Sequence, residues 1–154
     1  MLGPGDKLPA FELPDQTGLA RSFKDLVGLK GLILFVYPRD MTSGCTTEAR
    51  EFQERLGQFE DLGFHLAGLS RDPVASHQKF AHKLALAYPL LSDPGTGLIK
   101  ALGAWGERTM YGKKVEGPQR ATFAVGKDGR LKRVYAKVKP AGHAERVLAE
   151  LRAG

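Results

Sequence analysis

The apolar run Leu32-Ile33-Leu34-Phe35-Val36-Tyr37, followed at once by Pro38, limits the folds open to this chain more than any other feature. The run has no polar alternation. A strand made from it offers no face to water, so it belongs in the middle of a sheet covered on both sides. Pro38 ends it, because proline cannot donate to a sheet ladder. The sequence that follows supplies a cover. Counting from Cys45, apolar residues recur at Ala49, Phe52, Leu56 and Phe59, in steps of four, three, four and three that trace one helical face. Gly63 is placed to close that helix, and Phe64 to Leu69 reads as the next strand.

The rest of the chain continues the alternation. Asp72-Pro73 reads as a helix start, with Asp as cap and Pro at the first helical position, and Val74, Phe80, Ala81 and Leu84 as the buried face. Tyr88 to Leu91 reads as a short strand. Asp93-Pro94 repeats the start signal before Leu98, Ile99 and Leu102. Trp105 to Gly117 is polar and glycine-bearing without a period, and is expected to be irregular. Ala121 to Val125 and Leu131 to Val138 read as strands joined at Asp128-Gly129. A last helix from near Pro140 buries Ala144, Val147, Leu148 and Leu151. At the start, Phe11-Glu12-Leu13 and Ala20-Arg21-Ser22-Phe23 flank Pro14-Asp15-Gln16-Thr17-Gly18, a hairpin signal. The expected class is α/β: a thioredoxin-like fold, with a mixed central β-sheet, flanking helices and an N-terminal β-hairpin. A length of 154 residues suits one domain over 1–154.

Composition excludes several functions. A 42% hydrophobic and 26% charged chain is that of a folded soluble protein, and its apolar runs are far too short to span a bilayer. No basic segment followed by an apolar one opens the chain, so the cytoplasm is the expected location. The net charge of +6 is dispersed; its densest cluster, Arg130, Lys132, Arg133, Lys137 and Lys139, falls in an expected strand. It reads as a solvated surface without the interleaved aromatics of a nucleic-acid platform, so no nucleic acid and no membrane is expected as a partner. A single cysteine excludes an internal disulfide, a Cys-x-x-Cys pair and a multi-cysteine zinc site. His65, His77, His82 and His143 show no metal spacing and read as surface or packing residues. No glycine-rich nucleotide loop follows a strand, and no metal, haem, flavin or nicotinamide is expected.

A lone cysteine is most often a small buried hydrophobe. The neighbours of Cys45 argue for chemistry instead. It lies in the first turn of a helix, where free N–H groups and the positive dipole end favour a thiolate. Gly44 lets the backbone approach a ligand closely. Thr42, three residues earlier, has a hydroxyl that both donates and accepts, suited to holding a peroxide oxygen in line with the sulfur.

Pro38-x-x-x-Thr42-x-x-Cys45 resembles the peroxiredoxin active-site motif. The wider segment Tyr37 to Ala49 resembles the peroxiredoxin Q, or bacterioferritin comigratory protein, class. So do Pro14 to Gly18, Leu91-Ser92-Asp93, Gly103 to Glu107, and Tyr111-Gly112-Lys113 running on to Arg120-Ala121-Thr122-Phe123. The resemblance implies that Cys45 attacks peroxide and becomes a sulfenic acid. It implies that Thr42 binds the peroxide, that Pro38 shields the sulfur, and that Arg120 points its guanidinium at it. Glu48 is expected to orient Arg120, and Tyr37 to line the pocket. The chain departs from the class in one respect: many members carry a second cysteine five residues after the first, where this chain has Arg50. The resemblance therefore implies a one-cysteine, antioxidant thiol peroxidase acting on hydrogen peroxide and organic hydroperoxides. An external thiol, such as thioredoxin, glutaredoxin, glutathione or another small thiol, would recycle it, and a monomer is expected. The competing reading is a non-catalytic thioredoxin-fold redox sensor or partner-binding module. A glutathione-peroxidase-like enzyme would need a Gln and Trp near the thiol, and a thiol-disulfide oxidoreductase would need a cysteine where Thr42 stands.

Overall fold

The computed structural model describes residues 1–154, the side chain of Met110 excepted. In chain order its elements are β1 (Glu12–Pro14), β2 (Ala20–Ser22), α1 (Phe23–Leu26), β3 (Gly31–Val36), α2 (Ser43–Glu54), α3 (Leu56–Asp61), β4 (Phe64–Ser70), α4 (Val74–Leu84), β5 (Leu90–Ser92), α5 (Gly97–Leu102), β6 (Trp105–Met110), β7 (Lys113–Pro118), β8 (Ala121–Gly126), β9 (Leu131–Tyr135) and α6 (His143–Ala153). The central sheet has the order β5-β4-β3-β8-β9. Strand β3 pairs parallel with β4 and antiparallel with β8, and β4 pairs parallel with β5. The expected mixed sheet, flanking helices and N-terminal hairpin are all present.

Every residue of β3 is buried, as its unbroken apolar run requires. Its side chains alternate between two cores, because successive residues of a strand point to opposite faces. Ile33 and Phe35 pack with Cys45, Ala49, Phe52 and Val147 on one side. Leu32, Leu34 and Val36 pack with Leu26, Ile99 and Leu102 on the other. No helix among the described residues is long and apolar enough to cross a membrane.

The structure departs from the sequence-based expectations at several boundaries. The helix expected from Cys45 to Gly63 is two helices, broken at Arg55 (φ −109°, ψ 7°). The apolar face survives the break: Phe52 and Phe59 are both fully buried, with rings 5.8 Å apart. Strand β2 stops at Ser22, which with Asp25 makes a capping box for the short α1. The Asp-Pro helix starts are shifted. Helix α4 has Pro73 as N-cap, because the Asp72 carboxylate accepts from Ser70 and from the Asp40 N–H instead. Helix α5 has Thr96 at its N-cap, and Asp93 reaches past it to accept from the Ile99 N–H at 3.0 Å.

The segment expected to be irregular, Trp105 to Gly117, is a regular hairpin of β6 and β7. Tyr111 (φ 53°) and Gly112 (φ 76°) both take the left-handed conformation that a two-residue primed turn requires. Strand β9 ends at Tyr135, so Lys137 and Lys139 of the basic cluster lie beyond the strand in which they were expected.

Candidate active site

The site forms where β3 ends. The antiparallel pairing sets Val36 opposite Ala121, so Arg120, one residue before β8, arrives beside the loop that follows β3. That loop runs from Pro38 to Thr42 and leads into α2, whose third residue is Cys45. Seventy-five positions thus separate Arg120 from Cys45 in sequence, yet Arg120 Nη2 donates to Cys45 Sγ at 3.3 Å. Arg120 Nη1 donates to Glu48 Oε1 at 2.7 Å. Glu48 follows Cys45 by three residues on one helix, so both project to the same side and a single guanidinium spans them. Cys45 is 2% exposed and Glu48 is fully buried. Gly44 makes room for this arrangement, since a Cβ there would lie 3.1 Å from Arg120 Nη2 and 3.2 Å from Pro140 Cγ. At Gly44, expected to let the backbone approach a ligand, the groups alongside are Arg120 and Pro140.

The charges are held under stress. Burial pushes the Glu48 carboxyl up to about 7, against the pull of Arg120 and with a smaller push from Glu51. Its Oε2 is buried with no hydrogen-bond partner among the described residues. For Arg120, burial works against the charge, but Glu48 and then Cys45 hold the guanidinium above its ordinary value. Behind it, His143 Nε2 lies 2.8 Å from Thr122 Oγ1. Burial, with Arg146 and Arg120 adding to it against Glu150, lowers His143 to about 4. The ring is therefore neutral at ordinary pH.

The other expected site residues fall in several places. Thr42 occupies the N-cap position of α2 but does not cap it; its hydroxyl donates to the Arg39 carbonyl at 2.9 Å. Arg120 is the one hydrogen-bond partner of Cys45 Sγ among the described residues. Pro38 and Arg120 share the wall of a cleft of about 280 Å³ with Arg108, Gln119, Lys137 and Val138. Tyr37 lies beneath the loop, 1% exposed, with its hydroxyl donating to Asp40 Oδ1 at 2.6 Å. Arg50 is exposed on α2. Trp105 is partly buried against the second core, with Lys100 Nζ 4.6 Å from its ring centre.

One cluster escaped the sequence reading. Asp40 and His77 are both buried and meet at 2.7 Å. The signal was present: His77 falls on the same α4 face as Val74, Phe80 and Ala81. Asp40, Asp72 and His77 also bring ligand atoms within 4.8 Å of one another, the one such grouping among the described residues. Those atoms already serve each other and neighbouring donors, so the cluster is a closed hydrogen-bond network.

Comparison with known proteins identifies the family. Residues 4–134 match the AhpC/TSA family. A putative peroxiredoxin of Mycobacterium tuberculosis is 41% identical over 150 residues, covering 97% of this chain and 95% of its own length. Peroxiredoxin Bcp of Xanthomonas campestris is 43% identical over 122 residues, covering 79% of this chain and 76% of its own. Among solved structures, a Xylella fastidiosa PrxQ mutant superposes with a TM-score of 0.92 at 36% identity, covering 99% of this chain and 97% of that one. The X. campestris bacterioferritin comigratory protein, studied for alkyl peroxide reduction, gives a TM-score of 0.87 at 37% identity, covering 99% and 96%. With Cys45 as its one cysteine, the chain belongs to the AhpC/TSA family and, within it, to the peroxiredoxin Q, or bacterioferritin comigratory protein, class.

Proposed function

We propose that this thiol-dependent peroxidase works through Cys45 as a one-cysteine enzyme, in one thioredoxin-like domain over 1–154. The Cys45 thiolate attacks the terminal oxygen of a hydroperoxide. An S–O bond forms, the O–O bond breaks, and two electrons pass from sulfur to the peroxide. Cys45 becomes a sulfenic acid, and the leaving alkoxide or hydroxide takes up a proton to depart as alcohol or water. Arg120 stabilises the charge that develops on the leaving oxygen, and Glu48 fixes the guanidinium in that position. Thr42 holds the peroxide in line with the sulfur, and Pro38 keeps bulk water away. An external thiol then attacks the sulfenic sulfur, expelling water and forming a mixed disulfide, and a second thiol releases Cys45. Thioredoxin, glutaredoxin, glutathione or another small thiol suits this role. The cytoplasm is rich in such reductants, and a monomer is the working unit.

The observation that supports this reading is the 3.3 Å contact between Arg120 Nη2 and Cys45 Sγ in the first turn of α2. The test is hydrogen peroxide consumption by wild type and Cys45→Ser, with dithiothreitol as reductant. Turnover in wild type and none in the folded variant is expected. Oxidation of Cys45 without turnover would instead favour a redox sensor, and no oxidation at all would remove Cys45 from the chemistry.

A further inference from the structure

The loop between Pro38 and Thr42 carries two of the proposed catalytic groups, and its backbone is unusual. Met41 is 44% exposed and adopts φ 68°, a left-handed conformation that costs a non-glycine residue energy. Such a conformation persists only where its surroundings over-determine it. They do so at the preceding residue. The Asp40 carboxylate accepts from Tyr37 Oη at 2.6 Å and Ser76 Oγ at 2.8 Å, and its Oδ2 lies 2.7 Å from His77 Nδ1. The Asp40 N–H donates to Asp72 Oδ2 at 3.0 Å. His77 is anchored from its far side, where Nε2 meets the Leu91 carbonyl at 2.9 Å. A carbonyl can only accept, so Nε2 carries a proton, and the ring plane is fixed. The loop is thus pinned to the end of β3, to α4 and to β5.

The reach of this network to the reaction runs through two short bonds. Arg39, next to Asp40, offers its carbonyl to the Thr42 hydroxyl at 2.9 Å. With the donor occupied, the lone pairs of Thr42 Oγ1 are oriented by where Arg39 and Asp40 sit. Cys45 and Arg120 are held separately, by α2 and by the entry to β8. We propose that Asp40 and His77 form a buried brace that sets the Thr42 hydroxyl for the peroxide, acting as positioning residues for the oxygen rather than for the sulfur.

This inference rests on the roles assigned above to Cys45 and Thr42, and the experiment separates the two. Asp40→Asn replaces one of the two oxygens that accept from the Tyr37 and Ser76 hydroxyls with an NH2, and His77→Gln cannot span from Asp40 to the Leu91 carbonyl in the same geometry. In each variant two single-turnover rates of Cys45 are compared: oxidation by hydrogen peroxide and alkylation by iodoacetamide. Alkylation needs only a nucleophilic sulfur, whereas peroxide attack also needs the oxygen held in line. Peroxide oxidation is expected to fall at least about tenfold in each variant, with alkylation within about twofold of wild type. The double variant should lose little beyond the worse single one, because the two residues act as a unit. Ser76→Ala, which removes one donor at a part-buried position, serves if either variant fails to fold; a selective fall of about threefold is expected there. Unchanged peroxide oxidation, or an equal fall in both rates, overturns the brace. A wild-type protein that peroxide does not oxidise overturns the proposed function instead.

Discussion

Two buried polar clusters lie at the ends of the same loop, and they are built on opposite terms. In the Asp40–His77 cluster every buried side-chain oxygen and nitrogen has a partner. In the Cys45–Arg120–Glu48 cluster one carboxylate oxygen has none. A satisfied buried network rigidifies what it touches, while a partly satisfied one keeps charges in a medium that strengthens their effect. The contrast assigns the first cluster to shape and the second to electrostatics. Glu48 holds one end of the guanidinium, and the other is left to the sulfur.

The largest test of that division is Arg120→Met. Peroxide reduction should fall roughly 10²–10³-fold, the loss expected when an oriented charge at a reacting centre is removed. Stability should fall by only about 1–3 kcal/mol, because Glu48 can stay protonated in its apolar surroundings. Tyr37→Phe, which removes one donor from the satisfied cluster, should show the reverse balance. Peroxide reduction that falls no further in Arg120→Met than in Tyr37→Phe would break the comparison.

Next in size is the pH dependence of stability, measured by chemical denaturation. Glu48 stands at about 7 in the fold against an ordinary 4.5, so its contribution is complete below 4.5 and is lost as pH rises through 7. The size is of the order of 3 kcal/mol. His143 behaves oppositely. At about 4 against an ordinary 6.5, its contribution is complete above 6.5 and is lost as pH falls through 4. Between these limits the two slopes offset each other in wild type. Glu48→Gln should expose the His143 slope, with stability falling on acidification relative to wild type. His143→Asn should expose the Glu48 slope, with stability falling as pH rises. Parallel profiles for both variants and wild type would count against the stress assigned to Glu48.

The smallest effect is also the most local. Gly44→Ala places a methyl 3.1 Å from Arg120 Nη2, displacing the guanidinium by a few tenths of an ångström. Peroxide reduction should drop roughly three- to tenfold, while stability holds or rises by about 1 kcal/mol, as alanine suits a helix better than glycine. A stability loss without a rate loss would show that the tight contact is Pro140 rather than Arg120.

What could be read from the sequence was local. The β3 run, the turn at Pro38 and the Thr42–Cys45 spacing all lie within fourteen residues, and helix periodicity puts Cys45 on the buried face. Arg120 entered through family resemblance alone, because its place beside the sulfur depends on the β3–β8 register. The β6–β7 hairpin went unread because its strands carry polar residues on both faces, and its turn is Tyr-Gly rather than the usual Asn-Gly or Asp-Gly. The Asp40–His77 pair failed for a related reason. Each residue is ordinary in its own segment, and only the packing of α4 under the loop makes them partners.

The first turn of α2 carries a consequence for the timing of the cycle. Its N-cap hydroxyl is turned away to Arg39, and no acidic side chain stands in the turn to meet the helix dipole. A missing cap is worth about 1 kcal/mol, which lowers the cost of opening this turn. A small peroxide can reach a sulfur that is 2% exposed, but a thiol carried on a larger molecule cannot touch it until the turn opens. In the cycle proposed above, oxidation and recycling would then use two shapes of one short segment. The rate at which that segment opens would then decide whether the proposed sulfenic acid meets its reductant first or a second peroxide.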